Sequence, residues 1–178
     1  MATATITPAH DGTQHQAPSN RAGKYLSFAL GSEEYAIRVL KVREIVKLQH
    51  ITGVPDTPTE VRGVINLRGK VIPVIDLRLK FGMQNADYGQ RTCIIVVEIA
   101  ANQTGPMGII VDEVSEVLTL AEADIQDTPD FGIGVETPYL LGLAKVRDSV
   151  KILLDIDQVL MTSDLAHLSS LSMGEPAV

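Results

Sequence analysis

The chain has 178 residues, a net charge of −7 and no tryptophan; hydrophobic residues make up 45% of it and aromatic residues only 4%. That is enough apolar side chain for a real core, and the core must be aliphatic, rich in the β-branched residues that suit pleated strands. The 15 Lys and Arg are scattered and outnumbered by 22 Asp and Glu, which excludes the clustered basic surface that nucleic acid requires.

Residues 1–23 hold Thr, Ala, Gln, His and Pro without apolar periodicity, so a disordered N-terminal tail is expected. The tail lacks the apolar stretch of a secretory signal, and no apolar run is long enough to span a membrane. The expectation is a cytoplasmic protein with no direct membrane insertion. His10 and His15 lie in this tail without the rigid frame that a metal site needs.

Beyond the tail the punctuation is that of strands. Leu26, Phe28 and Leu30 alternate with smaller residues, Gly31-Ser32-Glu33-Glu34 reads as a turn, and Tyr35, Ile37 and Val39 alternate again. Asp56-Thr57-Pro58 followed by Glu60 predicts a capped helical turn. Val64-Ile65-Asn66-Leu67 and the run 71–75 flank Arg68-Gly69-Lys70, a hairpin signal. Pro73 cannot donate to a ladder, so the second of these strands is expected at an edge or bulged. Cys93 opens the run Cys93-Ile94-Ile95-Val96-Val97 and reads as a buried small hydrophobe. Residues 120–140 carry Pro129, Gly132, Gly134 and Pro138, an extended loop, and only residues 156–171 suit a helix of some length.

The second half repeats the first. A shift of 72 sets Tyr35 to Val39 against Met107 to Val111, Val42 against Val114, Glu44 against Glu116 and Ile45 against Val117. A shift of 79 sets residues 63–76 against 142–155, matching Gly63 with Gly142, Arg68 with Arg147 and Asp76 with Asp155. Two similar β units follow. A unit of roughly 60–70 residues buries only about 60% of its chain surface alone, so the two must share a core or a tight interface.

No catalytic constellation is visible. Gly132-Ile133-Gly134-Val135 lacks the third glycine and the strand–helix setting of a dinucleotide site. His50 and His167 have no partner at metal-ligand spacing, and Asp112, Glu113 and Glu116 read as a solvated face. Asp76 and Asp155 recur at matching hairpin ends, which suggests caps on the following turns. The pairs Glu44 with Arg68 and Glu116 with Arg147 also recur. Each suits a register-fixing ion pair or a recognition surface in which Arg grips a partner carboxylate.

The blocks Glu34-Tyr35-Ala36-Ile37, Val42-Arg43-Glu44-Ile45, Arg62-Gly63-Val64-Ile65-Asn66-Leu67-Arg68-Gly69 and Pro73-Val74-Ile75-Asp76-Leu77-Arg78 resemble the CheW family of bacterial chemotaxis coupling proteins. The likeness continues through Gly108-Ile109-Ile110-Val111-Asp112 and Tyr139-Leu140-Leu141-Gly142. It implies an all-β fold of two five-stranded SH3-like barrels in tandem sharing a hydrophobic core, with short helical turns and a C-terminal helix. The implied domain is 24–160, with lobe 1 at about 24–86 and lobe 2 at about 87–160, exchange of terminal strands between lobes left open, and a helix end and tail over 161–178. It also implies a non-catalytic adaptor, without cofactor or metal, joining chemoreceptors (methyl-accepting chemotaxis proteins) to the CheA histidine kinase at membrane receptor arrays. The implied receptor-binding set is Val42, Gly63, Asn66, Arg68, Val114 and Val117; the implied kinase-binding set is Glu44, Arg62, Asp130 and Phe131. Two other readings are a small-ligand sensor using a cleft between the barrels, and a coupling protein of a pilus-motility or other chemosensory pathway.

Overall fold

A computed structural model of the chain describes residues 20–83, 87–99, 105–128 and 139–161. Its strands are β1 Gly23–Leu30, β2 Glu33–Arg38, β3 Val42–Lys47, β4 Val61–Leu67, β5 Lys70–Asp76, β6 Cys93–Ile99, β7 Gly105–Val111, β8 Glu113–Leu120, β9 Ile125–Gln126, β10 Leu140–Val146 and β11 Ser149–Leu154. Two short helices follow the hairpins: α1 Leu77–Lys80 after β5 and α2 Ile156–Leu160 after β11.

The strands form a five-stranded sheet, β3-β6-β7-β5-β4, and a six-stranded sheet, β8-β1-β2-β11-β10-β9. The repeat explains both orders. Register and shift together make β1 the counterpart of β6, β2 of β7, β3 of β8, β4 of β10 and β5 of β11. With these substitutions the orders coincide, and among the described residues the two-residue β9 is the only addition. Even the single parallel pairing recurs, β5 with β7 and β11 with β2. The sheets do not follow a division of the chain at residues 86/87. Each sheet takes the first two strands of the repeat from one copy and the last three from the other. The five-stranded unit is therefore contiguous in sequence, and the six-stranded unit closes around it from both ends of the domain.

The exchange decides where the core lies. Leu26, Phe28, Leu30 and Ile37 meet Ile75, Ile95, Val97, Ile109 and Val111 in a central cluster shared by both sheets. Each unit also has its own smaller interior: Tyr25, Ala36, Leu118 and Leu153 in one, Ile65, Ile72, Val74, Ile94 and Val96 in the other. β1 lies between two cores, so Tyr25 and Ser27 are buried as fully as Phe28, although the alternation predicted one buried face. Four of the seven aromatic residues form one row, Phe28–Tyr35–Phe81–Tyr139, with ring centroids 6.2, 5.6 and 5.7 Å apart. The row ties the segment after α1 to the β1–β2 hairpin, where offset ring pairs add to area burial.

Several local expectations change. Residues 55–60 form turns rather than a helical one: Asp56 sits at φ 60°, Thr57 Oγ1 donates to the Val54 carbonyl at 3.0 Å, and the Glu60 carbonyl accepts from Asp76 N at 2.8 Å. The left-handed residue and the restriction before Pro58 break any helical turn there. β5, the strand of Pro73, is an inner strand between β7 and β4. It tolerates the proline because its parallel ladder with β7 starts only at Val74. The tail boundary also moves. Arg21 is pinned by Glu122 and Asp127, and its NH1 donates to the Leu141 carbonyl at 3.1 Å. Of the helix expected over 156–171, α2 accounts for five residues and the rest lies outside the described residues.

Candidate functional site

The hairpin β4–β5 presents the densest group of sequence-predicted residues. Its two tip residues, Arg68 and Gly69, have φ of 50° and 83°. Both central positions are left-handed, as a type I′ turn requires, and a glycine at the second makes this cheap. Asn66 is exposed, and its Oδ1 accepts from Gly69 N at 2.9 Å, which fixes the tip. Arg68 then reaches across to the edge strand β3. Its NH1 and NH2 donate to the two carboxylate oxygens of Glu44 at 2.9 and 2.6 Å. The fork matches the carboxylate, and the bonded Arg68 guanidinium holds the Glu44 carboxyl below its ordinary range.

Gly63, implied for receptor binding, is buried. It sits at a bulge in β4 with φ 137°, and a Cβ there would stand 1.9 Å from the Thr52 carbonyl oxygen. Thr52 bridges to Val64 through two backbone hydrogen bonds of 2.9 Å. Only a bare Cα lets that segment cross β4 so closely. Gly142 repeats the arrangement, at φ 150° and with Gln126 O in the way. Gly63 therefore positions the strand that carries Asn66 and Arg68.

Val42 and Val114 occupy matching places on the edge strands β3 and β8, and each packs half-buried against the central core. Val117 is 57% exposed and its counterpart Ile45 is 46% exposed. Val71 and its counterpart Val150 are exposed too, at 60% and 51%. Each unit thus displays the same surface: an edge strand and a hairpin tip, an acid–arginine pair, and two uncovered β-branched side chains.

Arg62 belongs to a second constellation. Its Nε donates to Tyr88 Oη at 2.6 Å, and that hydroxyl donates to Asp76 Oδ2 at 3.1 Å. Asp76 is fully buried and caps α1 by accepting from Arg78 N at 3.0 Å. The Arg78 guanidinium, 2% exposed, binds the same carboxylate at 3.2 Å and Asp112 at 3.1 Å. Asp112 also accepts from Gly31 N at 2.7 Å, in the β1–β2 turn. The chain Arg62–Tyr88–Asp76–Arg78–Asp112–Gly31 thereby links the two sheets. Sequence reasoning named Arg62 and Asp76 but missed Arg78 and Tyr88. The repeat offers no signal for Arg78, because Asp157 stands at the equivalent position. Asp155 does cap α2 as Asp76 caps α1, accepting from Gln158 N at 3.4 Å.

The carboxylates expected to form a solvated face are individually paired: Asp112 with Arg78, Glu113 with Arg91, and Glu116 with Arg147 at 3.7 Å. Lys151 is a further buried cation, contacting Glu34 and, at 4.0 Å, Glu116. Desolvation pulls its ammonium below the ordinary lysine range. Cys93 is half-buried, and its burial pushes the thiol up, away from nucleophilic use. Among the described residues, no group of three or more His, Cys, Asp and Glu could hold a metal ion, and no helix is long and apolar enough to cross a membrane. Asp130 and Phe131, with the glycine-rich segment 132–135, His10, His15 and His167, lie outside the described residues.

What the geometry presents is recognition surface: sheet edges, fixed ion pairs and exposed aliphatic side chains on a doubled β framework. That is the equipment of a scaffolding domain. The family described as CheW-like domain matches residues 24–163. The chemotaxis protein CheW of Klebsiella aerogenes is 38% identical over 149 residues, covering 84% of this chain and 88% of that protein. The CheW of Rhizobium meliloti is 33% identical over 141 residues, covering 79% and 89%. The crystal structure of the scaffolding protein TtCheW from Thermoanaerobacter tengcongensis superposes with a TM-score of 0.71 at 35% identity, covering 80% of this chain and 95% of that one. The chain belongs to the CheW family of chemotaxis scaffolding proteins, which are not catalysts and work through chemotaxis signalling partners.

Proposed function

We propose that this protein couples the cytoplasmic tips of chemoreceptors to the regulatory domain of the CheA histidine kinase, in the cytoplasm at membrane receptor arrays. The observation that carries the reading is the tip of β4–β5, where Asn66 and Glu44 hold Arg68 in one exposed geometry. Arg68, pre-ordered beside exposed aliphatic side chains, is suited to a helix bearing carboxylates, which take the fork over from Glu44, because little side-chain freedom is left to lose on binding. On this reading Val42, Val114 and Val117 contribute apolar contact to the receptor helix. Gly63 acts through the strand position it permits. Glu44, Arg62, Asp130 and Phe131 serve the kinase face, Arg62 from its place over Tyr88.

Co-sedimentation of the full chain with a receptor-tip fragment, and separately with CheA, tests the reading. Both are expected to bind, and Arg68→Glu is expected to weaken the receptor complex at least tenfold while the chain stays folded, its melting temperature lowered only by the loss of the exposed Arg68–Glu44 pair. Failure of the unmodified chain to bind either partner at micromolar concentration would sink the coupling role.

A further inference from the structure

The two units carry the same framework, so each serves as a control for the other. Their barrel mouths at the hairpin tips differ in kind. In the five-stranded unit the mouth is an open cleft of about 400 Å³. Its floor is apolar, formed by the half-buried Leu67 over the buried Ile72 and Val96, and its rim carries Arg43, Arg68 and Lys70. Glu44 is the one carboxylate of the lining, and Arg68 already holds it. Among the described residues Arg43 reaches only Glu98, at 4.0 Å, and Lys70 stands in no ion pair. Among the described residues of the lining three cations stand against one carboxylate, with Glu98 4.0 Å from Arg43 beside it, on a chain whose net charge is −7.

At the matching mouth of the six-stranded unit, Ile72 is replaced by Lys151 and Val96 by Ser27. Lys151 is buried against Glu34 and Glu116, and the Ser27 hydroxyl bonds the backbone of Glu116 at 3.2 Å. Arg43 and Lys70 are replaced by Ser115 and Ser149. That mouth satisfies its own charges. The first has an apolar floor, Lys70 in no ion pair among the described residues, and Arg43 held only at 4.0 Å by Glu98.

We propose that the mouth of the five-stranded unit is a docking cleft for an acidic peptide segment of a protein partner, seating one aliphatic side chain on Leu67, Ile72 and Val96 while flanking carboxylates meet Arg43 and Lys70. The inference rests on the reading of the chain as an adaptor. Charge complementarity selects the occupant. A purely apolar segment would leave the rim cations facing nothing, and a basic one would be repelled.

The experiment titrates the ¹⁵N-labelled full chain with a capped Asp-Glu-Leu-Ile-Glu-Asp peptide, and with its Asn-Gln-Leu-Ile-Gln-Asn analogue. Saturable amide shifts are expected at Leu67, Ile72 and Val96, with the neutral analogue binding at least tenfold more weakly. Arg43→Glu combined with Lys70→Glu should weaken the acidic peptide at least tenfold; Ser115→Glu combined with Ser149→Glu should not. Absent saturation, equal shifts at Val146 and Lys151, or indifference to the Arg43 and Lys70 reversals would each overturn the cleft. Receptor and kinase co-sedimentation runs on the same preparations. Complex formation without peptide occupancy defeats the cleft alone, and peptide occupancy without complexes defeats the adaptor reading alone.

Discussion

At the residue scale, burial ranks the ion pairs. Arg78 and Asp76 are nearly inaccessible to water, so removing one partner leaves a charge with no solvent to turn to. Arg78→Met should destabilise the fold by about 3–5 kcal/mol in urea titration. The double variant Arg78→Met with Asp76→Asn should cost less than the two single changes added together. The exposed pair Arg68–Glu44 behaves differently, since water and salt screen it. Because Arg68 lowers the folded-state pKa of Glu44 from its ordinary 4.5, the stabilisation is full above that value. It is lost as pH falls through the lowered folded value. Glu44→Gln should therefore be less stable than the parent at pH 7, with the two melting temperatures converging as pH falls well below about 4.5.

At the scale of elements, the hairpin β4–β5 depends on two glycines for unlike reasons. Gly63 needs both its φ of 137° and the absence of a Cβ against the Thr52 carbonyl, whereas Gly69 needs only φ 83° and has open space around it. Gly69→Ala should cost about 1–2 kcal/mol, the ordinary penalty of a left-handed side chain. Gly63→Ala should cost at least about 3 kcal/mol and shift the amide signals of Thr52 and Gly53, because the crossing backbone must move. Equal costs for the two changes would mean that the steric reading of Gly63 is wrong. Gly63 is buried, and on the proposed coupling role it acts on binding only by setting the place of the tip.

For the whole molecule, the exchanged strands make the two units one folding problem. The central core draws side chains from both sheets, so neither sheet can form its packed face alone. Urea unfolding of the intact chain should be a single transition, with far-UV circular dichroism and tyrosine fluorescence coincident. A fragment of residues 39–112 holds all five strands of the contiguous unit yet exposes Ile95, Val97, Ile109 and Val111. It should bind a hydrophobic dye and lack a sharp transition, and a cooperatively folded monomeric fragment would contradict the shared core. Fragments 20–86 and 87–161 should not fold separately, because each lacks strands of both sheets.

The sequence by itself determined the doubled β framework and the hairpin tips; it suggested the caps at Asp76 and Asp155, and it offered Glu44 with Arg68 as either an ion pair or a recognition surface. These rest on periodicity, turn chemistry and matched spacing, which are local or repeat in register. Tertiary structure alone decided which strands share a sheet, because both copies carry the same pattern and either partner satisfies it. It also decided that Gly63 faces its own backbone and that Arg78 and Tyr88 join Asp76 to Asp112. The divergence of the two barrel mouths likewise emerged only in three dimensions. Ile72 and Lys151 occupy one place in the repeat, and only the packing around them shows that Lys151 is buried against Glu34 and Glu116 while Ile72 lines an open cleft.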